Sequence, residues 1–166
     1  MLVLGLDPGL ALTGWALVEG ERGRLRLREA GCLRTPAGAP EASRLLDLSD
    51  QADALLGRSG AQAVAVERLF FSRNVRTAMA VSQARGVLLC SVARHRMELA
   101  EYTPGEVKQA VTGSGAADKR QVARMVRLIL GQDVPLSPDD LTDACAVGIC
   151  HQHSRGLLRA LAASRL

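Results

Sequence analysis

The sequence predicts an α/β domain in which a mixed sheet of five strands is flanked by helices. Three observations support this fold class. Three short strand-like segments follow one another at the N-terminus, helical and strand periodicities then alternate, and the last third of the chain is helical. A chain of 166 residues is long enough for one sizeable core, and it contains no linker or low-complexity segment. We therefore expect residues 1–166 to form a single domain.

The first three segments are predicted to form an antiparallel meander. Residues 2–7 (LVLGLD) are an apolar run typical of a buried strand, and residues 13–20 follow after a glycine-containing turn. Residues 24–35 alternate arginine with leucine, which is the pattern of a half-exposed strand. Because the connections between these segments are short, neighbouring strands should run in opposite directions.

Helical and strand periodicities alternate in the middle of the chain. Residues 40–57 place several leucines on one broad face of a helix, whereas residues 61–69 again form an apolar strand. A second helix is expected over 74–95. Residues 97–104 are predicted to be the fifth strand, which ends at a proline.

The last third of the chain is predicted to contain three helices. The first covers 105–113, and the second covers 118–131 with a strongly amphipathic spacing of apolar residues. The final helix is expected to begin with Ser137 as N-cap, Pro138 at the first helical position and Asp140 at the third.

Composition limits the classes of function. Hydrophobic residues make up 48% of the chain, as in globular proteins, and no apolar run approaches the ~20 residues of a membrane span. We expect a cytoplasmic protein without membrane contact. The net charge of +4 comes mostly from arginine, whose planar guanidinium suits phosphate, so a nucleic-acid partner is compatible with the composition.

Acidic residues stand at the ends of two predicted strands and at the start of the last helix. Asp7 and Glu67 close apolar runs, where a charge normally needs a partner or a cation. Asp139, Asp140 and Asp143 follow at helical spacing. Acids in a first helical turn also interact favourably with the helix dipole, and a satisfied edge charge would explain either strand acid alone.

Together these carboxylates could hold divalent cations. Carboxylate oxygens select hard ions such as Mg²⁺ or Mn²⁺, and two ions ~4 Å apart would promote hydrolysis of a phosphodiester. Ribonuclease-H-like nucleases supply their ligands in the same order, from two strands and then from a helix. Spacing alone does not decide which of the helix acids take part.

Five motifs of this chain resemble the RuvC family of bacterial Holliday-junction resolvases. They extend in order over nearly the whole sequence, and their combination is distinctive. The motifs are GLDPGLALTGWAL (5–17), VERLFFSRN (66–74), SQARGV (82–87), YTPGEVKQAVTGSGAADKRQV (102–122) and DLTDACAVGICH (140–151).

The resemblance implies a ribonuclease-H-like fold and a homodimeric endonuclease that needs divalent metal. The family's acidic tetrad falls on Asp7, Glu67, Asp140 and Asp143, which would hold two Mg²⁺ or Mn²⁺ ions per active site. Asp139 then becomes a neighbour that complements the helix dipole.

The resemblance also implies DNA-binding residues. Lys108 and Lys119 fall on the family's lysines near DNA and the scissile phosphate, and Lys119 is expected to take part in catalysis. Phe70 matches an aromatic residue that stacks on a junction base, an interaction of ~1–3 kcal/mol. The neighbouring Phe71 is the alternative for that role. Backbone phosphates could contact two arginines near the start of the second helix, Arg73 and Arg76, although solvated arginines at a helix start are nearly as common.

The implied function is resolution of four-way DNA junctions by paired, symmetric nicks in strands of like polarity, during recombination and repair. The implied partners are the junction, a second copy of the chain and the branch-migration complex RuvA–RuvB. A non-catalytic junction-binding protein and a general ribonuclease H are alternatives. LDPGLALTG (6–14) is also similar to the phosphate loop of actin-fold kinases, but those enzymes need two lobes and this chain has room for one.

Overall fold

The computed structural model describes residues 1–68, 75–131 and 137–163. Ten elements follow one another along the chain. They are β1 (Leu2–Asp7), β2 (Leu12–Glu21), β3 (Arg24–Arg34), α1 (Glu41–Ser59), β4 (Ala63–Glu67), α2 (Val75–Arg94), β5 (Glu98–Tyr102), α3 (Pro104–Thr112), α4 (Lys119–Leu130) and α5 (Asp139–Ala163).

The five strands form one mixed sheet in the order β3-β2-β1-β4-β5. The first three pair antiparallel, as the short connections predict, whereas β4 and β5 run parallel to β1. The mixed α/β sheet expected from the sequence is therefore confirmed. Because β1 and β4 are parallel neighbours, their carboxyl ends lie at the same edge of the sheet.

Helices cover both faces of the sheet. Strand side chains alternate between the faces, so Val3 of β1 packs with α3, α4 and α5, while Leu4 and Leu6 pack with α1 and α2. Leu48 of α1 and Leu88 of α2 are almost completely buried in the second cluster. Burial of both faces is typical of α/β proteins, and it fixes the position of each strand end relative to the helices.

Helix α5 packs on the sheet with almost no side chain between the two backbones. A Cβ atom added at Gly5 would lie 2.2 Å from the carbonyl oxygen of Ala144 and 2.8 Å from the backbone nitrogen of Gly148. A Cβ at Gly148 would in turn lie 2.7 Å from a methyl carbon of Val18. The glycines therefore allow α5 to approach the centre of the sheet, and no larger residue fits there without movement of the backbone.

Most predicted boundaries differ from the observed ones by one or two residues, and two of these differences lie at helix starts. The fifth strand ends at Tyr102, because Thr103 caps α3: its hydroxyl accepts from the Glu106 N–H, and its own N–H donates to the Glu106 carboxylate. The last helix begins at Asp139 and not at Pro138. Within the part of the chain that the structure describes, no helix is long and apolar enough to cross a membrane.

Substitution of Gly5 by alanine should destabilise the fold, because the new methyl group meets backbone atoms that cannot rotate away. We expect Gly5→Ala to lower the free energy of unfolding by about 1–3 kcal/mol, measured by urea denaturation. Gly38→Ala is the matched control, since a Cβ at the exposed Gly38 has no neighbour within 4 Å. Equal stability of the two variants would contradict close backbone packing at Gly5.

Candidate active site

Asp7 and Glu67 are the last residues of two adjacent parallel strands. The register pairs Leu6 of β1 with Val66 of β4, so the two acids come next, side by side, at the carboxyl edge of the sheet. Beyond Asp7 the loop to β2 is tight, because the Thr13 hydroxyl donates to the carbonyl of Gly9 at 2.7 Å and accepts from its N–H at 3.3 Å. These two hydrogen bonds return the chain directly from the end of β1 into β2.

The start of α5 brings the helix acids to the same edge. Asp7 pairs with Gly14 of β2, and a Cβ at Gly14 would lie only 2.1 Å from the carbonyl oxygen of Asp140. The first turn of α5 therefore rests on this glycine. Asp140 and Asp143 are half-buried, whereas the side chain of Asp139 is 80% exposed.

Burial and charge repulsion act together on Asp7. Desolvation is the largest influence and raises the pKa of this carboxyl to about 8, with further increases from Asp143, Glu67 and Asp140. Lys119 partly offsets the repulsion. Because all three neighbouring acids act on Asp7 through space, the four carboxylates predicted as a tetrad form one electrostatic cluster.

Among the described residues, Lys119 is the cation that contacts the acids at the start of α5. Its ammonium lies 3.6 Å from Asp143 Oδ2 and 3.8 Å from Asp139 Oδ2, while its side chain stays 73% exposed. Burial raises the pKa of Asp143, and Lys119 lowers it in part. Lys119 stands at the first position of α4, where Asp118 caps the helix by accepting from the Gln121 N–H at 2.8 Å.

A cleft of about 300 Å³ opens beside the acids on the α3–α5 face. It is lined by Glu67, Asp143, Lys108 and Lys119, with Val107, Val122, Ala146 and Pro104. Burial raises the pKa of Glu67, Asp143 adds to this, and Lys108 and Lys119 lower it. Both lysines predicted from the resemblance therefore face the acids.

The donor set suits a hard divalent cation. All four ligands would be carboxylate oxygens, with no nitrogen or sulfur. The carboxylates are partly buried and raise one another's pKa values, so a bound cation would relieve their repulsion. As the side chains stand, no three Asp, Glu, His or Cys groups of the described residues surround one point closely enough to share an ion. The acids thus lie at one edge of the sheet, but their side chains do not converge on a single point in this conformation.

Three predicted DNA contacts cannot be placed. Phe70 and Arg73, together with the alternative Phe71, lie outside the described residues. Arg76 lies in α2, but its side chain is outside the described part of the chain.

Sequence reasoning missed several residues of this edge. Gly14 and Thr13 shape it without any charge that would draw attention. Arg68 and Arg85 line a second cleft beside Asp7. Two features of the sequence could have indicated these arginines. Arg68 directly follows Glu67, and Arg85 lies in the SQARGV motif (82–87).

Comparison with known proteins decides the family. The model of the family described as crossover junction endodeoxyribonuclease RuvC matches residues 3–151. The RuvC of Chloroflexus aggregans is 48% identical over 159 residues, which cover 96% of this chain and 97% of that protein. The chain belongs to the RuvC family. A second RuvC protein, from Desulfitobacterium hafniense, is 49% identical over 95% of this chain and 96% of its own length.

A solved structure confirms the ribonuclease-H-like fold class. T. thermophilus RuvC, in a complex with a Holliday junction substrate, superposes with a TM-score of 0.87 at 33% identity. The match covers 93% of this chain and 94% of that one. The architecture described above is thus that of a RuvC nuclease over nearly its whole length.

The raised pKa of Asp7 predicts how metal-free protein responds to pH. Since the folded pKa is about 8 and the ordinary value is 3.8, the proton on Asp7 stabilises the fold fully at acidic pH. That contribution is lost as the pH rises through about 8. The Asp7→Asn variant has no carboxyl to ionise here, so only wild type loses stability as the pH rises. The free energy of unfolding of Asp7→Asn minus that of wild type should therefore be larger at pH 9 than at pH 6 by at least ~1.4 kcal/mol, the equivalent of one pKa unit.

Urea denaturation of both proteins in EDTA measures this difference. An equal gap between wild type and Asp7→Asn at the two pH values would contradict the raised pKa of Asp7, which burial and then the neighbouring carboxylates cause.

Proposed function

We infer that this chain is a crossover junction endodeoxyribonuclease, which resolves four-way DNA junctions by cutting phosphodiester bonds. The observation that supports this best is the cluster of four carboxylates at one sheet edge in a chain that matches a RuvC relative over 97% of that protein's length. A protein that only binds junctions has no need to retain these four acids. The non-catalytic alternative therefore has no support in the site.

We propose that Asp7, Glu67, Asp140 and Asp143 hold two divalent ions, Mg²⁺ or Mn²⁺. Such ions supply Lewis acidity, which eases loss of a proton from the attacking water and stabilises the charge on the leaving oxygen. Asp7 keeps a proton near neutral pH in the absence of metal, because its pKa is about 8. Metal binding must displace this proton, so the affinity for the ions should rise with pH.

We propose that Lys119 and Lys108 bind the DNA at the scissile phosphate. Lys119 contacts Asp143 and is largely exposed, so its ammonium can move from that carboxylate to an incoming phosphate. Lys108 faces the same cleft from α3. Phe70 stacking on a junction base, and Arg73 and Arg76 contacting the backbone, complete the proposed interface.

We propose a homodimer that packs through an exposed stripe on α2. Met79, Ser82, Gly86, Cys90 and Ala93 are exposed at spacings of three and four residues, so they share one side of the helix. The side chain of Met79 is 61% exposed, and a Cβ at Gly86 would meet nothing within 4 Å. Small residues beside a large apolar one allow two helices to approach closely.

The two-fold axis of such a dimer would match that of a four-way junction and direct paired nicks to strands of like polarity. We further propose that residues 1–166 act as one domain in the cytoplasm, in recombination and repair, together with a RuvA–RuvB branch-migration complex.

Conversion of any one tetrad acid to its amide should abolish cleavage of a mobile junction while binding persists. Asp140→Asn should lose at least ~100-fold in rate, because a carboxylate that holds a metal ion contributes several kcal/mol to catalysis. Asp139→Asn is the matched control, since this adjacent acid is 80% exposed and should retain activity. The assay measures nicking of a labelled junction and a duplex in Mg²⁺, Mn²⁺ or EDTA. Loss of binding by all four amide variants would instead indicate a structural role.

Gly86→Arg should prevent dimerisation without unfolding the protomer, because the new side chain is tolerated in one copy but blocks a facing helix. Sedimentation velocity should show a monomer with an unchanged circular dichroism spectrum, and paired nicking should be lost. Gly38→Arg, at an exposed position before α1, is the control. A dimer that survives Gly86→Arg would place the interface elsewhere.

A further inference from the structure

A second cleft adjoins the acids on the side of α2. Its volume is about 220 Å³, and its lining is Asp7, Pro8, Glu67, Arg68, Val81, Arg85 and Pro104. Glu67 and Pro104 also line the lysine-bearing cleft, so they form the boundary between the two. The acids therefore lie between a cleft with two lysines and a cleft with two arginines.

Arg85 has hydrogen-bonding capacity that its protein partner does not use. It reaches from α2 to form an ion pair with Glu101 of β5, and its side chain is only 21% exposed. The Nε atom is buried and has no hydrogen-bond partner among the described residues. Arg85 also lines the cleft, and a guanidinium has five donors in a planar fork, so the part of the group that is exposed to the cleft can bind a second anion while Glu101 stays paired.

Arg68 brings a second guanidinium to this cleft. Its backbone is fixed, because its N–H donates to the carbonyl of Tyr102 at 2.7 Å, while its side chain is exposed. Burial lowers the pKa of Arg85, and the charge of Arg68 lowers it further. Two guanidinium groups that repel one another are stabilised by an anion between them.

A purely structural role does not explain this arrangement. The ion pair between Arg85 and Glu101 ties α2 to β5, but it gives no reason for Arg68 or for an open cleft between the arginines and the acids. A phosphodiester is the anion that we expect in this cleft, because Glu67 lines both clefts and DNA bound in the lysine-bearing cleft could continue past Glu67 into this one. Planar guanidinium groups bind such phosphates with two parallel hydrogen bonds.

We propose that Arg68 and Arg85 bind a non-scissile backbone phosphate of the strand being cut, next to the phosphate held over the acids. This site rests on the proposed junction cleavage and adds a contact that fixes the register of the strand. Arg68 and Arg85 are thus phosphate-binding residues, and the chemical step stays with the acids.

Single methylphosphonates, which remove one phosphate charge, test this contact. Each phosphate within three nucleotides of the cut is replaced in turn, and binding and cleavage are measured for wild type and Arg68→Gln. At one non-scissile position the replacement should weaken binding by wild type about tenfold, as expected for a charged hydrogen bond. The same replacement should not weaken binding by Arg68→Gln any further.

One control and two further measurements keep the outcomes separate. Arg22→Gln makes the same charge change at the opposite end of the sheet, at the turn between β2 and β3, and should respond to every methylphosphonate as wild type does. Arg68→Gln should also reduce the slope of log K against log salt by about one, the loss of one phosphate contact. Arg85→Lys keeps the positive charge but loses the planar guanidinium. It should weaken the contact with the same phosphate.

The proposal is overturned if Arg68→Gln remains as sensitive as wild type at every position, or if no flanking methylphosphonate affects wild type. Failure of wild type to cut the unmodified junction would instead refute the proposed function.

Discussion

Repulsion among four carboxylates at one edge of the sheet is the constraint on which this structure depends. Two of the acids are fixed by parallel strands, and the other two by a helix whose backbone lies directly on the sheet. Because the packing at Gly5, Gly14 and Gly148 leaves no free space, the elements that carry the acids are held close together despite the repulsion. Instead the pKa of Asp7 is raised to about 8 and Lys119 lies near Asp143, and in the proposed function the proton and the lysine are both displaced by metal ions.

The sheet separates two kinds of basic group around these acids. Lysines on α3 and α4 approach from one face, where, in the proposed function, their flexible ammonium groups follow a phosphate whose charge changes during the reaction. Arginines after β4 and on α2 approach from the other face, where a planar fork suits a phosphate that stays intact. A strand that lies across Glu67 would thus be held on both sides of the bond that is cut.

Local patterns predicted the elements well, because strand alternation and helix spacing report burial on one face. The predicted boundaries are less accurate, and two of the differences lie at the starts of α3 and α5. Thr103 caps α3, whose first residue, Pro104, is the last residue of the predicted fifth strand, and Pro138 precedes α5. The choice between Asp139 and Asp140 could not be made from spacing, since both stand in the first turn. In the structure Asp139 is exposed, whereas Asp140 acts on Asp7.

The sequence by itself determined the mixed α/β fold, the family and the acids that stand at strand and helix ends, since each of these depends on local pattern or on motif order. Only the tertiary structure decided how charge is distributed around those acids. The pKa of Asp7 depends on residues more than a hundred positions away, and the arginine cleft joins β1, β4 and α2. Electrostatic interaction depends on distance through space and on burial, and neither can be read from separation along the chain.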